Sequence, residues 1–169
     1  MSIPNSRWLT LTGAGPLIVA PTCLFTLLLG YASLKGQLGD CAAGLPGFLL
    51  ALAGASCFGI AAVLFFDALL EAKIISAVRE KNLRTDGVYS LTRNPLYAAW
   101  LFGYCGLSLL LGNLLMLLVS GSCSYAWLVF VIARTEEPAL LNLYGSKYAQ
   151  YLKTVNRVIP WPSRGHCSE

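Results

Sequence analysis

Three long stretches of this 169-residue chain carry no charged residue: Trp8 to Leu34, Cys41 to Phe66 and Asn94 to Ala133. A bilayer crossing takes about 20 consecutive apolar residues, whereas a soluble helix of that length keeps a charged face toward water. The first two stretches predict one span each, over about 15–35 and 44–66. The third is long enough for two, and Gly112-Asn113 near its middle predicts a tight turn between them. The expected fold class is all-α integral membrane, with four transmembrane helices.

Between and after the spans the pattern becomes amphipathic. Leu70, Ile74, Ile75 and Val78 recur at helical spacing among Glu71, Lys73, Arg79 and Glu80, predicting a helix over 67–82 that leaves the bilayer with one apolar face. Asp86-Gly87 signals a turn in a loop over 83–97, and Pro95 suits the first turn of the third span. Beyond the fourth span, Leu140, Leu141, Tyr144, Tyr148, Tyr151 and Leu152 keep a helical period that Gly145 interrupts. Gly44, Gly47, Gly54 and Gly59 let helix backbones approach closely in lipid, so the first two spans read as scaffold. No repeat or long linker divides the chain, and one domain over 1–169 is the economical reading.

Composition agrees. The chain is 56% hydrophobic and 12% charged, with mean hydropathy +0.64, against about 25% charged residues in an ordinary soluble domain. Basic residues set the orientation, because Lys and Arg near span ends stay on the cytoplasmic side. Arg7, Lys73, Arg79, Lys81, Arg84, Arg93, Arg134, Lys147, Lys153, Arg157 and Arg164 fall on one side, leaving Lys35 on the other. Both termini are therefore expected in the cytoplasm, at the cell inner membrane of a prokaryote or the endoplasmic reticulum of a eukaryote. The net charge of +4 then reflects topology and attraction to anionic membrane lipids. Without a basic stripe interleaved with aromatics it does not indicate nucleic acid. Leu17 to Leu29 has the length of a signal-peptide core, but Arg7 is its only upstream charge and Pro16 and Pro21 interrupt it. Six scattered cysteines (Cys23, Cys41, Cys57, Cys105, Cys123, Cys167), with no Cys-x-x-Cys and only His166 beside them, read as small buried side chains, not as a metal or disulfide framework.

Polar groups at membrane depth are costly, which makes the polar cluster at the cytoplasmic ends of spans three and four the candidate site. One part runs from Thr85 to Tyr97; the other comprises Arg134-Thr135-Glu136-Glu137 with Tyr144-Gly145, Tyr148 and Tyr151. A short turn makes spans three and four antiparallel neighbours, so Arg93 and Asn94 should lie near Glu136 and Glu137. Arg93 can pair with a carboxylate, and the glutamates can accept from hydroxyls or an ammonium. The same residues also have plain readings: Arg93 as a headgroup anchor, Glu136 and Glu137 as a solvated cap, and the tyrosines as an interfacial belt.

Gly87-Val88-Tyr89, Arg93-Asn94-Pro95-x-Tyr97, a helical hairpin, Glu136-Glu137-x-x-Leu140 and Tyr144-Gly145-x-x-Tyr148-x-x-Tyr151 occur in that order. Over about 81–160 this combination resembles the isoprenylcysteine carboxyl methyltransferase family and its prokaryotic relatives, including phospholipid N-methyltransferases. The resemblance implies a methyltransferase core there, with a cytoplasmic C-terminal helical segment enclosing a pocket for S-adenosyl-L-methionine. It also implies a lipophilic methyl acceptor that enters from the bilayer. Lys81, Asn82, Leu83, Arg84, Tyr89, Asn94, Pro95, Leu96, Tyr97 and Glu136 match cofactor-contacting segments of the family, and Arg93 joins them by its chemistry. Arg134 matches an arginine near an acceptor carboxylate; a carboxylate acceptor needs no general base, whereas an amine acceptor would draw on Glu136 or Glu137. Many eukaryotic members have His where this chain has Asn94, and Thr154 replaces a basic residue common before the closing Val-Pro, with Arg157 three residues on. Prenylcysteine O-methylation and lipid N-methylation both stay open. Two rival classes are an NADPH-dependent reductase of the sterol reductase type, whose usual arginine-histidine pairing is missing near Arg93, and a non-catalytic membrane assembly or transport subunit, which leaves the polar cluster unexplained.

Overall fold

A computed structural model describes residues 15–38, 44–77, 83 and 85–161 of the chain. Among the described residues there are six α-helices, one 3-10 turn and no strand: α1 (Gly15–Leu34), α2 (Gly47–Ala77), the turn Gly87–Ser90, α3 (Pro95–Leu110), α4 (Leu114–Arg134), α5 (Glu136–Tyr144) and α6 (Ser146–Thr154). Gly47–Leu70 of α2 and Leu114–Tyr144 across α4 and α5 are long and apolar enough to cross a membrane, while Val19–Leu34 and Pro95–Leu110 are apolar but shorter. A soluble core helix would be mostly buried, yet only 22% and 33% of the two longer apolar windows are. Their outer faces carry exposed Phe48, Leu52, Phe66, Leu118 and Phe130. So much continuous apolar surface belongs against lipid.

Helix α2 is unbroken for 31 residues, so the helix expected to begin at Asp67 is the continuation of the second span. The onset of charge at Asp67 does not interrupt the helix as far as Ala77, and residues 78–82 of the expected helix lie outside the described residues. The turn between α3 and α4 forms as expected. Gly112 takes φ 65°, and Asn113 accepts from Met116 N–H at 2.8 Å while its Nδ2 donates to Ser33 Oγ at 3.0 Å. That last bond sets the end of α1 beside the turn; with the Thr22–Tyr104 hydroxyl pair at 2.8 Å, it makes α1 run parallel to α3.

Helix α2 runs antiparallel to α3, with Gly54 facing Gly106. A Cβ added at Gly54 would sit 3.0 Å from the Gly106 carbonyl, and one at Gly106 would sit 3.0 Å from the Gly54 carbonyl. Gly47 and Gly59, expected to serve the same end, face open space. The cysteines also depart from expectation, since Cys123 is exposed and Cys23, Cys57 and Cys105 are half-buried; helices that face lipid need not bury their small side chains. Helices α1 and α2 both pack on α3, and a cavity of about 600 Å³ lies between the three, lined by residues including Leu27, Phe58, Phe65, Trp100, Tyr104 and Leu107. At the end where α3 begins and α4 finishes, Leu64, Ala98, Leu128, Ile132 and Val158 close the core.

Candidate functional site

Local backbone chemistry assembles this end of the bundle. Gly87 takes φ 58°, which the Asp86-Gly87 turn requires, and Ser90 Oγ ties the 3-10 turn by donating to the Gly87 carbonyl at 2.7 Å. Pro95 occupies the first turn of α3, where its missing N–H costs nothing. Asn94 precedes it without capping the helix. Its Nδ2 instead donates to the Arg157 carbonyl at 2.9 Å.

That bond belongs to a clasp. Residues 156–161 lie across residues 91–94, with Arg93 N–H donating to Asn156 O at 2.9 Å, Thr92 Oγ1 to Val158 O at 3.0 Å and Trp161 N–H to Leu91 O at 3.0 Å. Thr92 and Val158 are both fully buried. On the other side, Gly145 takes φ 57° between α5 and α6. The break turns Tyr148 and Tyr151 inward, where they cluster with Val155, Leu83 and Leu140. Tyr151 donates to the Tyr89 carbonyl at 2.6 Å.

The two glutamates open α5, where backbone N–H groups and the helix dipole favour negative charge. Their surroundings differ. Tyr97 donates to Glu136 Oε1 at 2.5 Å, and the half-buried Glu136 carboxylate has no cationic partner among the described residues. Glu137 is buried between two guanidiniums. Arg157 Nε and Nη2 reach its two oxygens at 2.7 and 2.8 Å, and Arg93 Nη1 lies 2.9 Å from Oε1. The Arg93 side chain is only 8% exposed, and its Nε has no hydrogen-bond partner among the described residues. Tyr148 faces this charge cluster; burial raises its phenol above the ordinary range, and Arg93, Glu137, Glu136 and Arg157 all act on it electrostatically.

Arg93, Asn94, Tyr97, Glu136 and Glu137 are thus brought together as expected from the antiparallel hairpin. Tyr89 packs against the core and Leu83 against the α6 tyrosines. Pro95 is buried and Leu96 exposed. Arg134 does not join the cluster: it is exposed at the end of α4 and lies over the Phe130 ring, 4.7 Å from its centroid. Lys81, Asn82 and Arg84 lie outside the described residues. Arg157 was not among the expected site residues, and Thr92 was included only as one member of the polar stretch Thr85 to Tyr97. Arg157 was visible as a basic residue three positions after Thr154, with nothing to pair it with Glu137, and no pattern singled Thr92 out from its neighbours.

A profile of the phospholipid methyltransferase family matches residues 44–147, more than half of the chain. The chain belongs to the phospholipid methyltransferase family. Its similarity to individual family members is modest. It is 34% identical over 89 residues to the protein-S-isoprenylcysteine O-methyltransferase of Schizosaccharomyces pombe, covering 52% of this chain and 37% of that one. With the protein of the same description from Xenopus laevis it shares 30% over 119 residues, covering 63% and 41%. A phosphatidylethanolamine N-methyltransferase of Zygosaccharomyces rouxii is 34% identical over 82 residues, covering 48% and 10%. The chain therefore matches well under half the length of each of these relatives. No solved structure matches it. These relatives are methyltransferases, and none of the three is described as a reductase.

Proposed function

We propose that the chain transfers a methyl group from S-adenosyl-L-methionine to a lipophilic acceptor, at a site where α3 begins and α5 begins. The observation that carries this reading is the conjunction of the family match over 44–147 with a buried charged cluster at one end of an otherwise apolar bundle. Such a cluster is costly at a membrane boundary unless it is used.

The donor set suits this cofactor. The buried Nε of Arg93, lacking an acceptor among the described residues, suits a carboxylate, and Glu136 suits an ammonium or ribose hydroxyls. The Tyr97 and Tyr148 rings suit packing on adenine, and Lys81, Asn82 and Arg84 belong to the same proposal on the motif alone. When bound, the cofactor supplies an electrophilic methyl group on its sulfonium. The protein's part is positioning and exclusion of water. Tyr97 fixes the Glu136 carboxylate, which, with no guanidinium on it among the described residues, is the group placed to take a proton from an amine acceptor. Glu137, expected as an alternative base, has both oxygens engaged by Arg157; its role is to hold Arg93. Arg134, exposed at the end of α4, is assigned to an anionic acceptor headgroup. The α1–α2–α3 cavity, almost wholly apolar in its lining, supports an acceptor whose chain stays in the hydrocarbon.

In this reading α1 to α4 all span the membrane and both termini are cytoplasmic, which places Gln37 and the Gly112 turn on the far side. A single cysteine at position 37 should react with impermeant thiol reagents only from that far side; labelling solely from the cytoplasm would refute the topology. The cofactor reading is tested by thermal shift of the detergent-solubilised protein. S-adenosylhomocysteine should raise the melting temperature and NADPH should leave it unchanged, and the reverse would return the reductase reading.

A further inference from the structure

Arg157 holds Glu137 with a two-pronged grip, and this decides what Arg93 is free to do. The clasp fixes Arg157 from behind, because the carbonyls of Asn156, Arg157 and Val158 receive bonds from Arg93 N–H, Asn94 Nδ2 and Thr92 Oγ1. From that position Arg157 Nε and Nη2 occupy both oxygens of Glu137 at 2.7 and 2.8 Å. The fork-to-fork seat, the strongest geometry open to a guanidinium and a carboxylate, is therefore taken. Arg93 reaches Glu137 only from the side, through Nη1 at 2.9 Å from the shared Oε1. Its Nε, though buried, finds no acceptor among the described residues.

We infer that Arg157 is a positioning residue that keeps Arg93 available to an anionic ligand by occupying Glu137 in its place. This rests on the reading above, in which Arg93 meets the cofactor carboxylate. Without Arg157 the fork on Glu137 falls open, and Arg93, whose backbone N–H already anchors it to Asn156, turns its own two prongs onto the glutamate. Its donors are then consumed inside the protein. A lysine at 157 would keep the charge but, as a single ammonium, could not take both oxygens as a guanidinium does.

The test is titration of S-adenosylhomocysteine into the full chain in detergent by calorimetry, with melting temperature measured alongside. Charged hydrogen bonds of this kind correspond to roughly tenfold or more in affinity, so Arg157→Ala should weaken binding by about that factor. Arg157→Lys should weaken it comparably while melting close to wild type, which keeps the test intact if the alanine variant folds poorly. In an Arg93→Ala background, Arg157→Ala should add nothing further. An additive loss in that background would mean that Arg157 acts through charge or general stability and would overturn the inference, as would wild-type affinity in Arg157→Lys. Wild-type protein that binds no S-adenosylhomocysteine would instead overturn the cofactor reading on which the inference depends.

Discussion

Glu136 and Glu137 are neighbours in sequence, yet their contacts predict opposite phenotypes. Glu137→Gln removes the counter-charge from between Arg93 and Arg157, whose side chains are 8% and 29% exposed around a glutamate side chain that is 11% exposed. Removing one partner from a buried ion pair costs about 3–5 kcal/mol, because the remaining charge stays buried. Arg157 still reaches water, so the lower end, about 3 kcal/mol, is the expected loss. For a chain of this size each kcal/mol moves the melting temperature by about 2–4 °C, which gives a drop of roughly 6–12 °C. Glu136→Gln keeps an oxygen to accept the Tyr97 hydroxyl, and its cost should stay below about 1 kcal/mol, within the range of a single hydrogen bond. It should nonetheless lower methyl transfer to an amine acceptor, since an amide takes no proton. Tryptophan fluorescence melts of the two variants in one detergent, paired with a methyl-transfer assay, read both quantities. Equal melting temperatures for wild type and Glu137→Gln would refute the buried ion-pair reasoning.

Packing makes further predictions. Gly106→Ala places a methyl 2.9 Å from the Phe58 ring and 3.0 Å from the Gly54 carbonyl, so it should cost about 1–3 kcal/mol by overpacking, whereas Gly59→Ala, facing open space, should melt as wild type. Gly145→Ala forces a side chain into φ 57°, ψ −130°, at a cost of about 1–3 kcal/mol, detectable as a lower melting temperature and weaker S-adenosylhomocysteine binding through the displaced α6. Tyr148 titrates above its ordinary value near 10 because folding buries it. The neutral form is favoured in the folded state, so its contribution is fully present below that value and lost as pH rises through the higher folded one. Melts from pH 8 to 11 should fall less steeply for Tyr148→Phe than for wild type, and identical slopes would remove Tyr148 as a cause.

What the sequence made legible follows from local rules. Pro95 at a helix start, the Gly112-Asn113 turn and the Gly145 break each depend on a single residue's backbone freedom, and each stands where the pattern put it. The meeting of Arg93 with the acidic pair was legible because a two-helix hairpin forces its open ends together. The choice between the glutamates was not, since it depends on Arg157, which reaches back 20 residues to Glu137. The clasp was equally hidden: Thr92 and Asn94 bond to carbonyls, which every residue owns and no side-chain pattern marks. The direction of Arg134 was hidden for a related reason. Spacing put it one turn from the cluster, but its direction is set by the buried faces of Val131 and Ile132, which leave Arg134 pointing outward over Phe130.

Transfer of labelled methyl groups by the purified chain in lipid nanodiscs tests the central claim most directly. With labelled S-adenosyl-L-methionine, acceptors sharing one headgroup and differing only in hydrocarbon length should include a prenylcysteine series and a phosphatidylethanolamine series. Label should enter at least one of the two series, rise from short to long chains within it, and fall in Glu136→Gln if the acceptor is the amine. Efficient labelling of the short water-soluble members with no gain from added chain, or no labelling of either series by protein that binds S-adenosylhomocysteine, would contradict methyl transfer to a lipophilic acceptor.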